Sequence, residues 1–182
     1  MARISGGNSD IIRYLATNLR MDSYYGPKTV TGTFGIALLS RYPIQNPRTY
    51  YLFSKGEQTA VIEAEIRVGL ITYVIMVTHL GNGGPLVQQQ EILALTAGKK
   101  NVILMGDFNF QPSTEQYQRT AALLQDGWLL ASKKEVTPPG QDLEKRIDHI
   151  FLSPGLSAMS AEFIGEGPSD HPALFLEMGL LP

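Results

Sequence analysis

The sequence of 182 residues contains no cysteine, which excludes disulfide bonds, thiolate metal ligands and a cysteine nucleophile. It also lacks any apolar run close to the roughly 20 residues that a membrane-spanning helix needs. Its first residues do not form an apolar signal segment. We therefore expect no membrane span in this chain, and the sequence leaves the cellular compartment unknown.

Positive charge is scarce as well. Fifteen Lys and Arg residues stand against 17 Asp and Glu, which gives a net charge of -2 and a pI of about 5.9. Proteins that hold nucleic acid through phosphate contacts usually have a basic face, and these totals give no indication of one. The 43% hydrophobic and 18% charged residues are ordinary for a soluble globular protein, and the length predicts a single domain over residues 1-182.

Strand and helix patterns alternate along the chain, which predicts an α/β fold. Thr59 to Arg67 alternates between apolar and polar residues, as a half-buried strand does. Leu70 to His79 and Val102 to Met105 are nearly all apolar, which favours central strands. Further strands are predicted over residues 33–40, 49–53, 146–153 and 173–178. Helices are predicted over about 8–21, capped by Asn8 or Ser9, over 86–97, and over 113–125, where Ser113 and Gln116 fit a capping box.

Several of the predicted strands end in polar residues with complementary chemistry. These residues are His79, Asp107, Asn109, Asp148, Asp170 and His171. Taken singly, each has a structural explanation, because Asp and Asn are common turn and cap residues and a lone histidine is more often structural than catalytic. Together they indicate one rim of a sheet, which is where open α/β folds bind ligands.

Phosphoester hydrolysis is the chemistry that such a set of side chains fits. Asp107 and Asn109 offer hard oxygen ligands of the kind that suit Mg²⁺ or Mn²⁺. A bound metal would act as a Lewis acid on the phosphate and on the leaving oxygen. Asp148 and His171 could form a pair in which the carboxylate fixes the tautomer of the imidazole that polarises water.

Four sequence blocks carry a resemblance to a known family. They are THL at residues 78–80, GDFN at 106–109, RIDHIFLS at 146–153 and SDHPAL at 169–174, with a weaker block, GIALLSRYPI, at 35–44. In this order and spacing they resemble the endonuclease/exonuclease/phosphatase superfamily. The resemblance implies a two-sheet α-β-β-α sandwich of the deoxyribonuclease I type and a metal-dependent phosphoesterase that cleaves phosphodiesters or phosphomonoesters.

The same resemblance implies a role for each site residue. His171 would orient or activate the attacking water, or bind the scissile phosphate, and Asp148 would hold His171. Asp107 would contact the nucleophile and the metal region, with Asn109 beside it on the phosphate. His79 would lie near the phosphate or the leaving group.

Two carboxylates, Asp107 and Asp170, would lie on the metal side, where the family binds Mg²⁺ or Mn²⁺. The substrate implied is a phosphoester on a lipid headgroup, an inositol phosphate or a nucleic acid. A narrower resemblance, through GPKT at residues 26–29 and THLGN at 78–82, is to the C-terminal domains of membrane proteins that remodel GPI lipid anchors and to bacterial relatives. It implies that the chain could belong to a longer, membrane-associated protein.

The family's first strands are not recognisable in this sequence. In the family pattern, one strand carries an Asn and the next ends in Gln-Glu, whose Glu is the principal metal ligand, whereas residues 3–8 resemble the loop that follows. We therefore expect an N-terminally truncated sandwich with weak metal binding and impaired activity. Sheet edges exposed by the loss would favour a homodimer. Two alternatives stay open: a non-catalytic module that binds a phosphate or headgroup, and a nuclease acting on DNA or RNA.

Overall fold

A computed structural model describes residues 10–27, 34–131, 143–165 and 169–179. The strands are β1 (Asp22–Pro27), β2 (Gly35–Ser40), β3 (Ile44–Leu52), β4 (Thr59–Val68), β5 (Ile71–His79), β6 (Val102–Asp107), β7 (Gln125–Asp126), β8 (Asp148–Leu152), β9 (Ala158–Ile164) and β10 (Ala173–Met178). The helices are α1 (Ile11–Leu19), α2 (Leu86–Thr96), α3 (Glu115–Ala121) and α4 (Gly127–Ala131). None of the helices in these ranges is both long and apolar enough to span a bilayer.

A six-stranded sheet, in the order β3-β4-β5-β6-β8-β7, forms the main layer. Strands β5 and β6 run parallel, and β8 runs antiparallel to β6. The end of β5, the end of β6 and the start of β8 therefore lie side by side at one rim of this sheet. In the ladder, Asp107 is paired with His79 on one side and with Asp148 on the other.

The two faces of this sheet are covered by different elements. One face packs against α2 and α3, where Ile92 and Tyr117 contribute to a buried cluster with the strands. The opposite face packs against two small antiparallel sheets, β1-β2 and β9-β10, through residues such as Leu38 and Leu176. This arrangement confirms the predicted α/β sandwich with helices on the outside.

The small sheets are separate two-stranded ladders in the described part of the chain. Strand β2 is hydrogen-bonded to β1, and β10 is hydrogen-bonded to β9. Beside the end of β10, an open apolar cavity of about 200 Å³ lies over the main sheet, lined by side chains that include Ile66, Tyr73 and Met178.

The predicted bounds of the third helix are wrong at both ends. The capping residue of α3 is Thr114, whose side chain accepts a hydrogen bond from the Tyr117 amide, rather than Ser113. The helix ends at Ala121 instead of continuing to about Gln125. Gln125 and Asp126 instead pair with β8, so strand pairing overrides the helical pattern there.

Three strands also differ from the prediction. Strand β3 begins at Ile44 rather than at Thr49, because the chain accommodates Pro47 in a bulge on the edge of the sheet. Strands β1 and β9 were not predicted, since neither alternates clearly between apolar and polar residues. The expected caps Asn8 and Ser9 lie outside the described residues, and Asp10 caps α1 through a bond to the Arg13 amide.

Candidate active site

The rim of the main sheet brings His79, Asp107 and Asp148 together. Nε2 of His79 lies 3.5 Å from Oδ2 of Asp107. Gly106 makes this close pairing possible. Its φ of +140° is a region that other residues avoid, and a Cβ there would lie 2.0 Å from the carbonyl oxygen of Thr78. The backbone conformation and the close approach of Thr78 therefore explain why GDFN begins with glycine.

His171 reaches the same rim from the turn that precedes β10. Its backbone amide donates a 3.1 Å hydrogen bond to Ser169 Oγ, which shapes the turn. Its Nδ1 lies 2.7 Å from Oδ2 of Asp148. Because an ionised carboxylate can only accept, Nδ1 must carry the proton, and Nε2 is left to act on a substrate or a water.

The pair perturbs the protonation of both partners. Burial raises the pKa of the Asp148 carboxyl, and the bond from His171 opposes that rise. The bond to Asp148 raises the pKa of His171 above its usual 6.5. The protonated imidazole thus stabilises the fold below pH 6.5, and this contribution is lost as the pH rises through the higher folded-state pKa.

The raised pKa of His171 can be measured directly. Proton NMR titration of the three histidines should show one imidazole titrating above pH 6.5 and another, the buried His149, with a pKa of about 4 because burial disfavours its charge. In Asp148→Asn the pKa of His171 should fall. An unchanged value in that variant would mean that Asp148 does not control this imidazole.

Asn109 and Asp170 occupy different positions around these groups. The Asn109 backbone amide donates to Asp107 Oδ1 at 2.9 Å, and its side-chain Nδ2 donates to the Leu80 carbonyl at 2.9 Å. Asn109 thus fixes the loop after β6 and the orientation of Asp107. Asp170 is exposed, and its charge contributes to the raised pKa values of Asp148 and His171.

The donor set is compatible with a hydrated divalent ion. Asp107, Asp148 and His171 each offer a ligand atom, and these atoms lie within 4.8 Å of one another. Each carboxylate also accepts a hydrogen bond, Asp148 from His171 and Asp107 from the Asn109 amide. The expected pair of metal ligands was Asp107 and Asp170, and Asp170 lies outside this group.

His149, although adjacent to Asp148, faces the helix-covered side of the sheet. It is 1% exposed, its Nε2 contacts the Phe110 carbonyl at 3.0 Å, and its ring packs against Phe110 and Phe151. The alternation of side chains along β8 separates these neighbours, so His149 is a core residue and does not reach the rim.

The sequence analysis did not single out the residues that flank His79 on its other side. Ser54, Lys55 and Asn82 line a pocket that includes His79 in its wall. The sequence signal for them is slight: Asn82 is the last residue of the THLGN block, and the loop that contains Ser54 and Lys55 carries no motif.

Comparison with known proteins gives a consistent assignment. A sequence model of the Endonuclease/Exonuclease/phosphatase family matches residues 5–171. The chain is similar to the catalytic domain of human Nocturnin, solved with bound sulfate, at 23% identity and a TM-score of 0.73 over 93% of this chain and 76% of that one.

Two proteins of Bacteroides thetaiotaomicron are similar in fold as well. An endonuclease/exonuclease/phosphatase family protein gives 16% identity and a TM-score of 0.77, over 92% of this chain and 78% of the other. A mannosyl-6-phosphatase gives 17% identity and a TM-score of 0.69, over 93% of this chain and 82% of the other. At these identities the likeness concerns the fold.

Proposed function

Because the chain belongs to the Endonuclease/Exonuclease/phosphatase family, whose members are hydrolases of phosphoester bonds, we propose that it hydrolyses a phosphoester by water attack assisted by His171 and Asp148. The observation that carries this proposal is the 2.7 Å contact between Asp148 Oδ2 and His171 Nδ1 at the rim that also holds Asp107 and His79. This pair orients an imidazole whose Nε2 can take a proton from water.

The proposed reaction consumes one water for each ester cleaved. The water oxygen bonds to phosphorus while one of its protons passes to Nε2 of His171, and Asp148 stabilises the imidazolium that forms. The bond from phosphorus to the leaving oxygen breaks, and that oxygen takes the proton from the His171 imidazolium, directly or through water, and leaves as an alcohol. His79 and Asn109 lie where they can contact oxygens of the phosphate.

A divalent ion would supply Lewis-acid neutralisation of the phosphate charge, with Mg²⁺ or Mn²⁺ as the candidates. Asp107 would hold it, with Asp170 as the proposed second carboxylate. We expect weak binding, because Mg²⁺ sites need carboxylates that are held rigidly, and Asp170 is exposed. Isothermal titration with Mn²⁺ should give an affinity weaker than micromolar; micromolar binding would contradict this.

The function is tested by hydrolysis of bis-p-nitrophenyl phosphate and p-nitrophenyl phosphate with Mn²⁺ in excess. Wild type should release p-nitrophenolate, and His171→Ala and Asp107→Asn should both lose that activity by at least roughly a hundredfold. Lys100→Met, at the opposite end of β6, is the matched control and should retain it. Equal activity in all the variants would indicate a contaminating enzyme and overturn the proposal.

Two other functions use the same residues. The first is a module that binds a phosphorylated group without cleaving it. The small number of carboxylates at the site favours this function, and phosphate binding by a wild-type protein that shows no turnover would support it. A nuclease requires competition by DNA or RNA in the same assay. The net charge of -2 gives no support for nucleic-acid binding.

We further propose that the edge of β10, which pairs with β9 alone among the described strands, allows two copies of the chain to associate. An edge strand that lies beside an apolar cavity is a template for another strand, and Met178 at the end of β10 lines such a cavity. Static light scattering should therefore give a mass above the monomer's 20.0 kDa as concentration rises. A constant monomer mass at high concentration would contradict it.

A further inference from the structure

A second cavity adjoins the candidate active site on the side of His79 that faces away from His171. It has a volume of about 330 Å³ and lies between the loop after β3 and the loop after β5. His79 is part of its wall and also lies 3.5 Å from Asp107. Because the strand order is β4-β5-β6-β8, the cavity, His79, Asp107 and Asp148 follow one another along the rim.

A buried side chain fixes the shape of this His79 pocket. Gln88 of α2 is 3% exposed; its Nε2 donates to the Phe53 carbonyl at 2.9 Å, and its Oε1 accepts from the Gly81 amide at 2.9 Å. One amide thus ties both loops together. A second contact, of 3.0 Å between the hydroxyls of Ser54 and Thr59, holds the first loop against β4. The pocket is therefore formed before any ligand arrives.

The polar groups around the pocket suit a hydroxyl-rich ligand. Lys55 can only donate hydrogen bonds, an ionised Glu57 can only accept them, and Asn82 can do both. The hydroxyls of a sugar or cyclitol each donate and accept, so they match a mixed set of this kind. The volume is at the lower end of the range for small-molecule sites, which fits one ring rather than a polymer.

Nucleobases and acyl chains fit the same surface less well. Proteins that bind single-stranded nucleic acid stack bases on aromatic side chains, and none of the described residues lining the pocket is Phe, Tyr or Trp. An acyl chain would need a continuous apolar lining, and here the charged side chains of Lys55 and Glu57 form part of the wall.

We propose that the His79 pocket binds the non-reacting, hydroxyl-rich part of the substrate, so that the protein acts on phosphate esters of polyols such as sugars or cyclitols. This inference rests on the proposed function, because it places the reacting phosphate at Asp107 and His171. The polyol can be free or can be the headgroup of a lipid, since both present the same ring to the pocket.

Binding of a non-hydrolysable pair of ligands tests the proposal without turnover. The first ligand is the methylene phosphonate analogue of glucose 6-phosphate, and the second is methylphosphonate, which has the anionic group but no polyol. With Mn²⁺ in excess, isothermal titration should show that wild type binds the first at least roughly tenfold more tightly, as expected for two or more added hydrogen bonds.

Exposed residues of the pocket provide the variant. In the double variant Lys55→Met/Asn82→Ala, the ratio of the two affinities should fall to roughly twofold or less, while Lys100→Met should keep the wild-type ratio. Equal affinities in wild type, a ratio unchanged in the double variant, or tighter binding of a thymidine 5′-phosphonate would each overturn the proposal.

Displacement experiments identify the source of the polyol. Glycerophosphoinositol and vesicles of phosphatidylinositol in phosphatidylcholine should compete with the sugar phosphonate, and their relative potency distinguishes a soluble from a lipid-borne ring. Competition by neither would count against a polyol pocket. A polyol preference without ester hydrolysis would refute the proposed function alone, and hydrolysis without the preference would refute the pocket alone.

Discussion

Replacing Asp148 with Asn should lower the turnover of a phosphodiester by about 10²- to 10⁴-fold, the range that a positioned general base contributes. The amide keeps the size of the carboxylate, but it cannot stabilise an imidazolium and can present an N–H to Nδ1 of His171. The imidazole would then lose both its orientation and its raised pKa. Steady-state kinetics with bis-p-nitrophenyl phosphate and Mn²⁺ measure the effect.

A double-mutant cycle gives this prediction its sharpest form. The proposed function has Asp148 act through His171, so Asp148→Asn combined with His171→Ala should be no less active than His171→Ala alone. The matched control is Glu177→Gln, which also replaces a carboxylate with an amide. Glu177 lies on β10 and accepts a hydrogen bond from Ser160, so this variant should keep wild-type turnover. Additive losses in the double variant would show that Asp148 has a separate function.

The largest expected loss of stability comes from a buried ion pair behind the site. Nη2 of Arg146 lies 2.6 Å from Oδ2 of Asp126, and their side chains are 7% and 2% exposed. Tyr117 also donates to this carboxylate at 2.6 Å, and the Trp128 amide donates to its other oxygen at 2.8 Å. Asp126→Ala removes the buried carboxylate to which Arg146, Tyr117 and the Trp128 amide are bonded, so the free energy of unfolding should fall by about 3–5 kcal/mol.

Urea unfolding at pH 7 measures that loss, and a surface pair supplies the comparison. Arg119 and Glu115 are also 2.6 Å apart, but their side chains are 49% and 57% exposed. Glu115→Gln should therefore cost about 0.5 kcal/mol or less. Equal free energies of unfolding for the two variants would show that burial of the Asp126–Arg146 pair does not increase its contribution to stability.

The main sheet could be predicted from the sequence because its strands have regular patterns. Strand β4 alternates and β5 is nearly all apolar, so both were located to within one or two residues. The edges were harder. Strand β1 contains Gly26 and Pro27, so its sequence resembles a loop although it pairs with β2 along its whole length.

The sequence predicts the part of the candidate site that strand register alone brings together. Residues that end adjacent strands become neighbours at the rim, as His79 and Asp107 do. The His79 pocket could not be predicted from the sequence, because it depends on Gln88, which bridges two loops that are about 30 residues apart in the chain. That partnership exists only in three dimensions.

The single tryptophan of this chain, Trp128, is an intrinsic fluorescence probe. The indole ring of Trp128, on α4, packs at a tilt against Phe163 of β9, with a centroid distance of 4.9 Å. Strand β9 pairs with β10, and His171 lies in the turn that precedes β10. Separation of β9 and β10 from the rest of the molecule would alter the emission of Trp128 and move the His171 imidazole away from Asp148 in one event. Fluorescence and catalysis should then fade at the same denaturant concentration, even where the far-ultraviolet signal of the large sheet persists.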